Sequence, residues 1–332
     1  MRSRAIQLNR YPEGMPSISD FELVSIDLPD PSVGEVLVQN HHMSVDPYMR
    51  GRMRQGKHYF TPFALHTPLD GGCVGEVIAS NDSNFEVGNY VAGFGGWREH
   101  FIAPGSDLTH IDPRLAPLPT FLGTLGMPGL TAYVGLLDIG RPAEGETVFV
   151  SAASGAVGSI VGQIAKLKGC RTVGSAGSDE KVAWLQDEVG LDAAFNYRQV
   201  EDIEAELVHH CPDGIDVYFD NVGGDHLQAA IANMNFHGRI TLCGMIGQYN
   251  ATESALGPNN LMLAVGRRLA LQGFIVSDHQ ERRATFFDEM GSWIDEGKIK
   301  WRETVIDGLE NAPKAFIGLF HGDNFGKMVV KL

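Results

Sequence analysis

Residues 148–165 read VFVSAASGAVGSIVGQIA, and this stretch decides the fold. An apolar run with strand character comes first, a turn of small residues follows, and an amphipathic segment ends it. Ala153, Gly155 and Gly158 occupy the three positions of the pattern G-x-G-x-x-G, with alanine in the first. Beyond the turn, apolar residues recur at the i, i+3, i+4 spacing of a helix face that packs against a sheet. They are Val157, Ile160, Val161, Ile164 and Ala165.

This order of strand, small-residue turn and helix is typical of a dinucleotide-binding unit. Gly155 allows the backbone to approach a pyrophosphate, and Gly158 allows the helix to pack closely on the strand. The amino terminus of the helix directs its N–H groups toward the anion. A closely packed turn without a ligand is the alternative, and the strand–helix units around the turn favour the nucleotide site.

The rest of the chain predicts an α/β protein with two domains. Up to about residue 125, short strand-like runs are separated by Gly, Pro and Asp turns, which indicates a mostly β domain. Beyond it, apolar runs alternate with helical patterns, as parallel βαβ units of a doubly wound sheet require. The predicted strands of that sheet are residues 147–151, 172–176, 194–196, 216–220, 239–243 and 270–276. Residues 311–320 read as a helix and 327–331 as a last strand that rejoins the first domain. The predicted domains are therefore residues 1–125 with 302–332, and residues 126–301.

Composition excludes several functional classes. A chain of 332 residues exceeds the size at which one hydrophobic core usually stops growing. Its formal net charge of −15 disfavours a nucleic-acid partner, because such proteins present a basic face to phosphates. We find no signal-peptide pattern and no apolar run long enough for a membrane span, so we predict a cytoplasmic protein without a membrane partner. Four widely spaced cysteines without a CxxC pair favour the reduced thiols of a cytosol.

The tip of the second predicted Rossmann strand indicates which dinucleotide binds. NAD-binding folds place a carboxylate there to hold the ribose 2′-hydroxyl, whereas residues 175–178 of this chain read SAGS. Asp179 and Glu180 come later, at the start of the next helix, and Lys181 follows. A cation near the ribose favours a 2′-phosphate by direct charge pairing, so NADPH/NADP+ is the predicted cofactor. An ordinary solvated helix lysine is the alternative for Lys181.

With these residues in place, the chain resembles the zinc-independent medium-chain dehydrogenase/reductases, in particular the alkenal/one, prostaglandin and curcumin reductase branch. Six stretches carry the resemblance: residues 44–51 (SVDPYMRG), 126–133 (GMPGLTAY), 152–158 (AASGAVG), 177–181 (GSDEK), 219–224 (FDNVGG) and 322–327 (GDNFGK). Each is weak alone, but together they are specific and span nearly the whole chain. The resemblance implies a GroES-like β domain built from both chain ends, a Rossmann domain between them, and a homodimer. It also implies NADPH-dependent reduction of α,β-unsaturated aldehydes or ketones, a small-molecule substrate class that includes curcumin-like dienones.

The matching motifs also imply which residues bind the cofactor. Those that resemble the pyrophosphate turn are Gly155, Ala156, Val157 and Gly158. Those that resemble the set reading the 2′-phosphate are Ser178, Lys181 and Tyr197. Asn221 follows the fourth strand of the domain. Those implied to line the nicotinamide side are Cys243, Gly244 and Tyr249, and those approaching it from the far edge are Phe274, Ile275, Val276 and Asn324.

The sequence lacks the ligands of a zinc site. Zinc-dependent members of the superfamily need a cysteine, a His-Glu pair and a further ligand around an open coordination position. Here Ser44 and Asp46 stand where the first cysteine is expected, and residues 71–76 (GGCVGE) replace the Gly-His-Glu segment. No cysteine lies between residues 88 and 116, where a structural zinc needs four. We therefore predict that no metal is bound.

Two tyrosines are the predicted catalytic residues. Reduction of an enone needs a donor that stabilises the negative charge developing on the carbonyl oxygen. Tyr249 is the first choice, since an unperturbed phenol pKa of about 10 keeps it protonated at neutral pH. Tyr48 is expected across the cleft, where it orients the substrate. The alternatives are cofactor packing only for Tyr249, and an aromatic cap on the domain interface for Tyr48.

The residues leave two other functions open. A quinone reductase of the same superfamily shares the fold and the cofactor. An NADPH-binding scaffold without catalysis is the other, because a resemblance does not establish activity. A comparison of the turnover of enones with that of quinones distinguishes the quinone reductase. Cofactor binding without turnover of any substrate identifies the scaffold.

Overall fold

The structure is a computed structural model that describes residues 1–56 and 59–332. These residues form two units, Met1–Leu122 with Glu303–Leu332, and Gly123–Arg302. Both chain ends therefore belong to the first unit. The divisions fall a few residues from the boundaries that the sequence predicts.

The amino-terminal part of the first unit is mostly β. Its runs of apolar residues form strands that end at Gly, Pro and Asp turns, as the sequence predicts. The strands are β1 (Arg2–Leu8), β2 (Phe21–Asp27), β3 (Glu35–Ser44), β4 (Cys73–Ser80), β5 (Tyr90–Gly93), β6 (His100–Pro104) and β7 (Thr109–His110). A helical turn, α1 (Met49–Arg52), follows β3.

The second unit alternates helices with parallel strands. The strands are β8 (Thr147–Val150), β9 (Arg171–Ala176), β10 (Ala193–Asn196), β11 (Ile215–Asp220), β12 (Met234–Leu242) and β13 (Ala270–Gly273). The helices are α2 (Met127–Val134), α3 (Gly158–Leu167), α4 (Asp179–Asp187), α5 (Ile203–His210), α6 (Gly224–Asn233), α7 (Met262–Arg267) and α8 (Arg283–Asp295). The strands pair in the order β10-β9-β8-β11-β12-β13. The winding reverses between β8 and β11, the switch point at which doubly wound sheets bind ligands. The predicted doubly wound Rossmann sheet is confirmed.

Two strands of this sheet differ from their predicted bounds by more than one residue. β12 begins at Met234 rather than at residue 239, because Met234 already pairs with Ile215 of β11. Asn235, His237 and Gly238 have weak strand propensity, so the sequence does not predict this extension of β12. β13 ends at Gly273 rather than at 276, because a 3₁₀ turn starts at Val276.

The chain then returns to the first unit and completes its sheet. The last elements are β14 (Glu303–Asp307), α9 (Ala312–His321) and β15 (Lys327–Lys331). The sheet has the order β14-β15-β3-β4-β5-β7, and β6 pairs with β3 as well. β15 runs antiparallel to β3, with Val329 opposite Ser44. This pairing brings Lys327 to the segment that carries Asp46.

Each unit has its own apolar core. In the first, Trp97 stacks on Phe21 with ring centroids 6.0 Å apart, and Phe316 of α9 meets Trp97 edge-on. In the second, Phe149 of β8 stacks on Tyr218 of β11 at 5.0 Å. Within residues 1–56 and 59–332, no helix has the length and apolar character needed to cross a membrane.

Candidate active site

The predicted phosphate-binding turn joins β8 to α3. Gly155 N donates to Ala152 O at 3.0 Å, and Ala152 itself adopts a left-handed φ of +48°. A Cβ on Gly158 would lie 2.5 Å from Ala152 O, and a Cβ on Gly155 would lie 3.2 Å from the same oxygen. Only glycine fits at 158 without a backbone shift, so α3 begins directly against the turn. Ala156 and Val157 lie between the two glycines, at a helix amino terminus whose partial positive charge favours an anion.

Asn221 is joined to this turn by hydrogen bonds. Its Nδ2 donates to Ser151 O at 2.8 Å, and its backbone N donates to Ser151 Oγ at 3.0 Å. Ser151 follows β8 and Asn221 follows β11, the two strands at the switch point. The structure therefore brings Asn221 to the predicted pyrophosphate turn.

The loop after β12 lies at the same edge of the sheet. Cys243 N and Gly244 N donate to Asp220 O at 2.9 and 3.1 Å. The Tyr249 hydroxyl accepts a long hydrogen bond, 3.4 Å, from Met245 N. A Cβ on Gly244 would lie 3.0 Å from that hydroxyl, so glycine at 244 lets the phenol hydroxyl lie close to the backbone.

The ionisable groups of this loop are held in their neutral forms. Burial raises the pKa of Tyr249, and the neighbouring Cys243 and Asp220 raise it further. Burial also raises the pKa of the Cys243 thiol to about 12. At neutral pH this edge therefore presents a phenol and a thiol rather than a phenolate and a thiolate.

The residues predicted to read a 2′-phosphate meet at the tip of β9. Ser178 caps α4, with its Oγ accepting from Lys181 N at 3.3 Å. Tyr197 N donates to Ala176 O at 3.0 Å, and its hydroxyl would lie 3.3 Å from a Cβ on Gly177. Lys181 is only 8% exposed, unlike an ordinary solvated helix lysine.

A second cation lies at this tip, and sequence reasoning missed it. Arg198 Nε would also lie 3.3 Å from a Cβ on Gly177. The carboxylate of Asp179, in contrast, accepts from Asn196 Nδ2 at 2.8 Å and Gln199 Nε2 at 2.9 Å, and these bonds lower its pKa. The sequence feature that could have indicated Arg198 as a second cation is its position directly after Tyr197, near the end of a predicted strand.

Phe274, Ile275 and Val276 follow β13, and the Phe274 ring lies at the end of α2. There the chain continues as a π-helical turn, Gly135–Gly140. A Cβ on Gly135 would lie 2.7 Å from both the Phe274 and Phe219 rings. Thr241 Oγ1 donates to Gly135 O at 3.0 Å, which ties this turn to β12. π-helical turns are frequent at functional sites.

Tyr48 and Asn324 belong to the first unit. Tyr48 precedes α1, and its ring lies 5.1 Å from that of Phe60. Burial raises the pKa of Tyr48 well above its ordinary value, and the charge of Asp46 adds to this. Asn324 Nδ2 donates to Gly326 O at 2.8 Å, in the loop before β15.

A buried ion pair lies in the segment where zinc-dependent members of the superfamily are expected to carry their first cysteine ligand. Lys327 Nζ lies 3.1 Å from Asp46 Oδ1 and donates to Val45 O at 2.9 Å. Ser44 Oγ donates to Asp46 Oδ2. In the described part of the chain, no group of three His, Cys, Asp or Glu side chains is placed to hold a metal ion.

Sequence reasoning also missed a polar cluster at the switch point. Asp220 Oδ1 accepts from the Tyr218 hydroxyl at 2.7 Å, and that hydroxyl lies 3.0 Å from Ser151 Oγ. All three side chains are fully buried. The sequence feature that could have indicated this cluster is the carboxylate that ends the otherwise apolar run of residues 217–220.

Comparisons with known proteins agree with this geometry. Residues 4–111 match the family described as N-terminal domain of oxidoreductase, and residues 156–292 match that described as zinc-binding dehydrogenase. The NADPH-dependent curcumin reductase of Escherichia coli (strain K12) is 44% identical over 336 residues, 100% of this chain and 97% of the relative. The NADP(+)-dependent 2-alkenal reductase of Nicotiana tabacum is 44% identical over 334 residues, 99% of this chain and 97% of the relative.

A solved structure extends the agreement to the fold. The crystal structure of CurA in complex with NADPH from Vibrio vulnificus has a TM-score of 0.94 and 44% sequence identity, covering 99% of this chain and 98% of that one. Similarity at this level spans both units from end to end. The resemblance inferred from the six sequence stretches is thereby confirmed, and this chain belongs to the zinc-independent medium-chain dehydrogenase/reductase family.

Proposed function

We propose that this protein uses NADPH to reduce the carbon–carbon double bond of α,β-unsaturated aldehydes and ketones. The observation that carries the proposal is the shared sheet edge of the second unit. There a turn suited to pyrophosphate, joined to Asn221, neighbours the loop that holds the half-buried, protonated phenol of Tyr249. Relatives named for NADPH-dependent curcumin reduction and NADP(+)-dependent 2-alkenal reduction support it.

The residues of the second unit fit NADPH. Glycine at 158 lets α3 begin directly against the turn, since a Cβ there would meet Ala152 O, and the helix amino terminus at residues 155–158 can hold a pyrophosphate. Lys181, with Ser178 and Tyr197 beside it, supplies the positive charge and hydroxyls that a 2′-phosphate requires. The carboxylate of Asp179 accepts hydrogen bonds from the side-chain amides of Asn196 and Gln199. Bound NADPH supplies the hydride.

Tyr249 has the chemistry required at the carbonyl oxygen of the substrate. Its raised pKa keeps the proton on the phenol, so the group donates a hydrogen bond where negative charge develops. The same proton can pass to the reduced product. The proposal keeps the roles predicted from the sequence for Tyr48, orientation of the substrate, and for Asn324, binding of the cofactor. Cys243, with a pKa of about 12, stays a neutral thiol and lines the site.

The test follows the NADPH absorbance band at about 340 nm with purified protein. The substrates are an alkenal, a dienone, a quinone and a saturated aldehyde, each also offered with NADH. We expect loss of absorbance with the alkenal and the dienone, and faster loss with NADPH than with NADH. Loss with the quinone alone would replace the proposal with a quinone reductase. Tight NADPH binding without turnover of any substrate would indicate an NADPH-binding scaffold without catalysis.

We also propose a homodimer formed through the free edge of the Rossmann sheet. β13 ends the strand order of the described residues, so its outer backbone groups can pair with another strand. Apolar side chains near it are exposed, with Met262 at 83% and Val265 at 79%. A second copy of this chain matches both features, because a two-fold axis pairs identical edges. Light scattering should give twice the chain mass, and Val265→Asp should lower it to that of a monomer. Val208→Asp, an exposed valine on α5, is the control that should leave the dimer intact.

We propose that the protein resides in the cytoplasm. Cys73, Cys170, Cys211 and Cys243 are all free thiols. Reducing compartments keep thiols in this state. Fractionation with an antibody to the chain should find it with cytoplasmic markers, and a secreted or periplasmic pool would contradict this.

A further inference from the structure

The carboxylate of Asp220 is a buried ionisable group to which the proposed reaction gives no role. It is 0% exposed and ends β11, next to β8, at the switch point of the sheet. A carboxylate without access to water is costly unless hydrogen bonds satisfy it. The hydrogen bonds of the Asp220 carboxylate therefore indicate its structural role.

The Asp220 side chain organises two loops of the site. Its Oδ1 accepts from Val222 N at 2.9 Å and Gly223 N at 2.8 Å, which fixes the loop carrying Asn221. The same oxygen accepts from the Tyr218 hydroxyl at 2.7 Å and lies 3.4 Å from Ser151 Oγ. Ser151 opens the pyrophosphate turn and accepts the Asn221 backbone N–H. One oxygen atom thus anchors both loops.

The main-chain carbonyl group of Asp220 holds a third loop in place. Its carbonyl oxygen accepts from Cys243 N and Gly244 N at 2.9 and 3.1 Å, holding the segment that leads to Tyr249. The negative charge of Asp220 also helps to raise the pKa of Tyr249. The loops after β8, β11 and β12 therefore converge on this residue.

We propose that Asp220 is a positioning residue that holds residues 151–158 and 221–223 in the arrangement that binds the pyrophosphate and nicotinamide half of NADPH. The inference rests on the proposed cofactor function. It assigns no part of the adenosine 2′-phosphate contact to Asp220, because Ser178, Lys181 and Tyr197 lie at the tips of β9 and β10. Removal of the carboxylate should thus weaken one half of the cofactor contact and spare the other.

The experiment compares two ligands on Asp220→Asn. NADPH spans both halves of the site, whereas adenosine 2′-monophosphate probes the 2′-phosphate half alone. We expect the Kd for NADPH to rise about tenfold, because the amide oxygen of asparagine accepts the hydrogen bonds of Val222 N, Gly223 N and the Tyr218 hydroxyl more weakly than a carboxylate oxygen does. The Kd for adenosine 2′-monophosphate should stay within about twofold. The control is Asp187→Asn on the exposed surface of α4, with both affinities unchanged.

A double-mutant cycle separates positioning from a general structural role. Asp220→Asn and Ser151→Ala should be non-additive in NADPH affinity, because both act on the same turn. An unchanged NADPH Kd in Asp220→Asn, or equal weakening of both ligands, would overturn the inference. If the wild-type protein binds neither ligand, the result contradicts the proposed cofactor function itself, on which the inference rests. If Asp220→Asn does not fold, Tyr218→Phe carries the test, with a smaller rise in the NADPH Kd and none for adenosine 2′-monophosphate.

Discussion

At the level of single residues, the proposed reaction depends most on the hydroxyl of Tyr249. Tyr249→Phe removes the hydroxyl oxygen and keeps the aromatic ring. We expect kcat for an alkenal to fall about 100-fold, the contribution of a positioned proton donor, with the NADPH Kd nearly unchanged. Steady-state assays and fluorescence titration measure the two quantities. Tyr90→Phe, on β5 of the first unit, is the control; a kcat within twofold of wild type in Tyr249→Phe would contradict the role.

The raised pKa of Tyr249 also predicts a pH profile. Since burial moves its deprotonation to higher pH, the phenol keeps its proton throughout the range of about pH 7 to 9. The kcat of wild-type protein should therefore stay flat across this range. A decline in wild type that disappears in Tyr249→Phe would show that the phenol ionises earlier than the structure indicates.

We expect Lys181 to determine the preference between NADPH and NADH. Lys181→Ala should raise KM for NADPH at least tenfold, because a charge-assisted contact to the 2′-phosphate is lost. KM for NADH should change little, since NADH has no 2′-phosphate. Lys314→Ala, an exposed lysine on α9, provides the control. Equal losses with NADPH and NADH would indicate a packing role for the buried lysine instead.

At the scale of elements, the start of α3 depends on one glycine. In Gly158→Ala the new Cβ meets the backbone oxygen of Ala152 at 2.5 Å, so helix and turn must separate. We expect a loss of about 1–3 kcal/mol in the free energy of unfolding, together with weaker NADPH binding. Denaturant unfolding and cofactor titration measure both effects.

Gly162 in the same helix is the matched control for Gly158. A Cβ there meets Leu191 Cδ2 at 2.6 Å, the end of a flexible side chain that can turn aside. Alanine is also a better helix former by about 1 kcal/mol, which offsets the contact. Gly162→Ala should thus leave stability and NADPH affinity nearly unchanged. Equal effects of the two substitutions would show that the turn does not require glycine at 158.

At the scale of the whole molecule, acid should weaken both units. Burial lowers the pKa of His42 in the first unit and His226 in the second to about 4, from an ordinary value of 6.5. Between these values the unfolded chain binds more protons than the folded chain, so stability falls as the pH drops through this window. The slope for His226 approaches about 1.4 kcal/mol per pH unit.

Urea unfolding between about pH 4.5 and 7 tests this acid dependence. His226→Asn should flatten the slope of the second unit, since it removes a group that the folded state keeps neutral. The exposed His209→Asn is the control and should leave the slope as it is. A wild-type stability that does not change across the window would contradict the burial of neutral histidines.

Much of the candidate site could be predicted because its motifs are local. The turn at residues 152–158 combines small residues at a fixed spacing, and such spacing is visible in one dimension. Asn221 and Tyr249 follow predicted strands, and the carboxyl ends of neighbouring parallel strands share one edge. Arg198 and Asp220 escaped prediction, because a charged residue after a strand has no pattern that separates a ligand contact from a solvated turn.

The sequence by itself determined the order of strands and helices, the glycine-dependent turn and the residue types at the nucleotide tip. These follow from period, propensity and spacing, which act over a few neighbouring residues. Only the tertiary structure decided that Ser151 and Asp220, 69 positions apart, meet beside one another. It also decided that the last strand brings Lys327 to Asp46. Both contacts depend on which strands become neighbours, and that choice is settled by burying the whole sheet rather than by any local pattern.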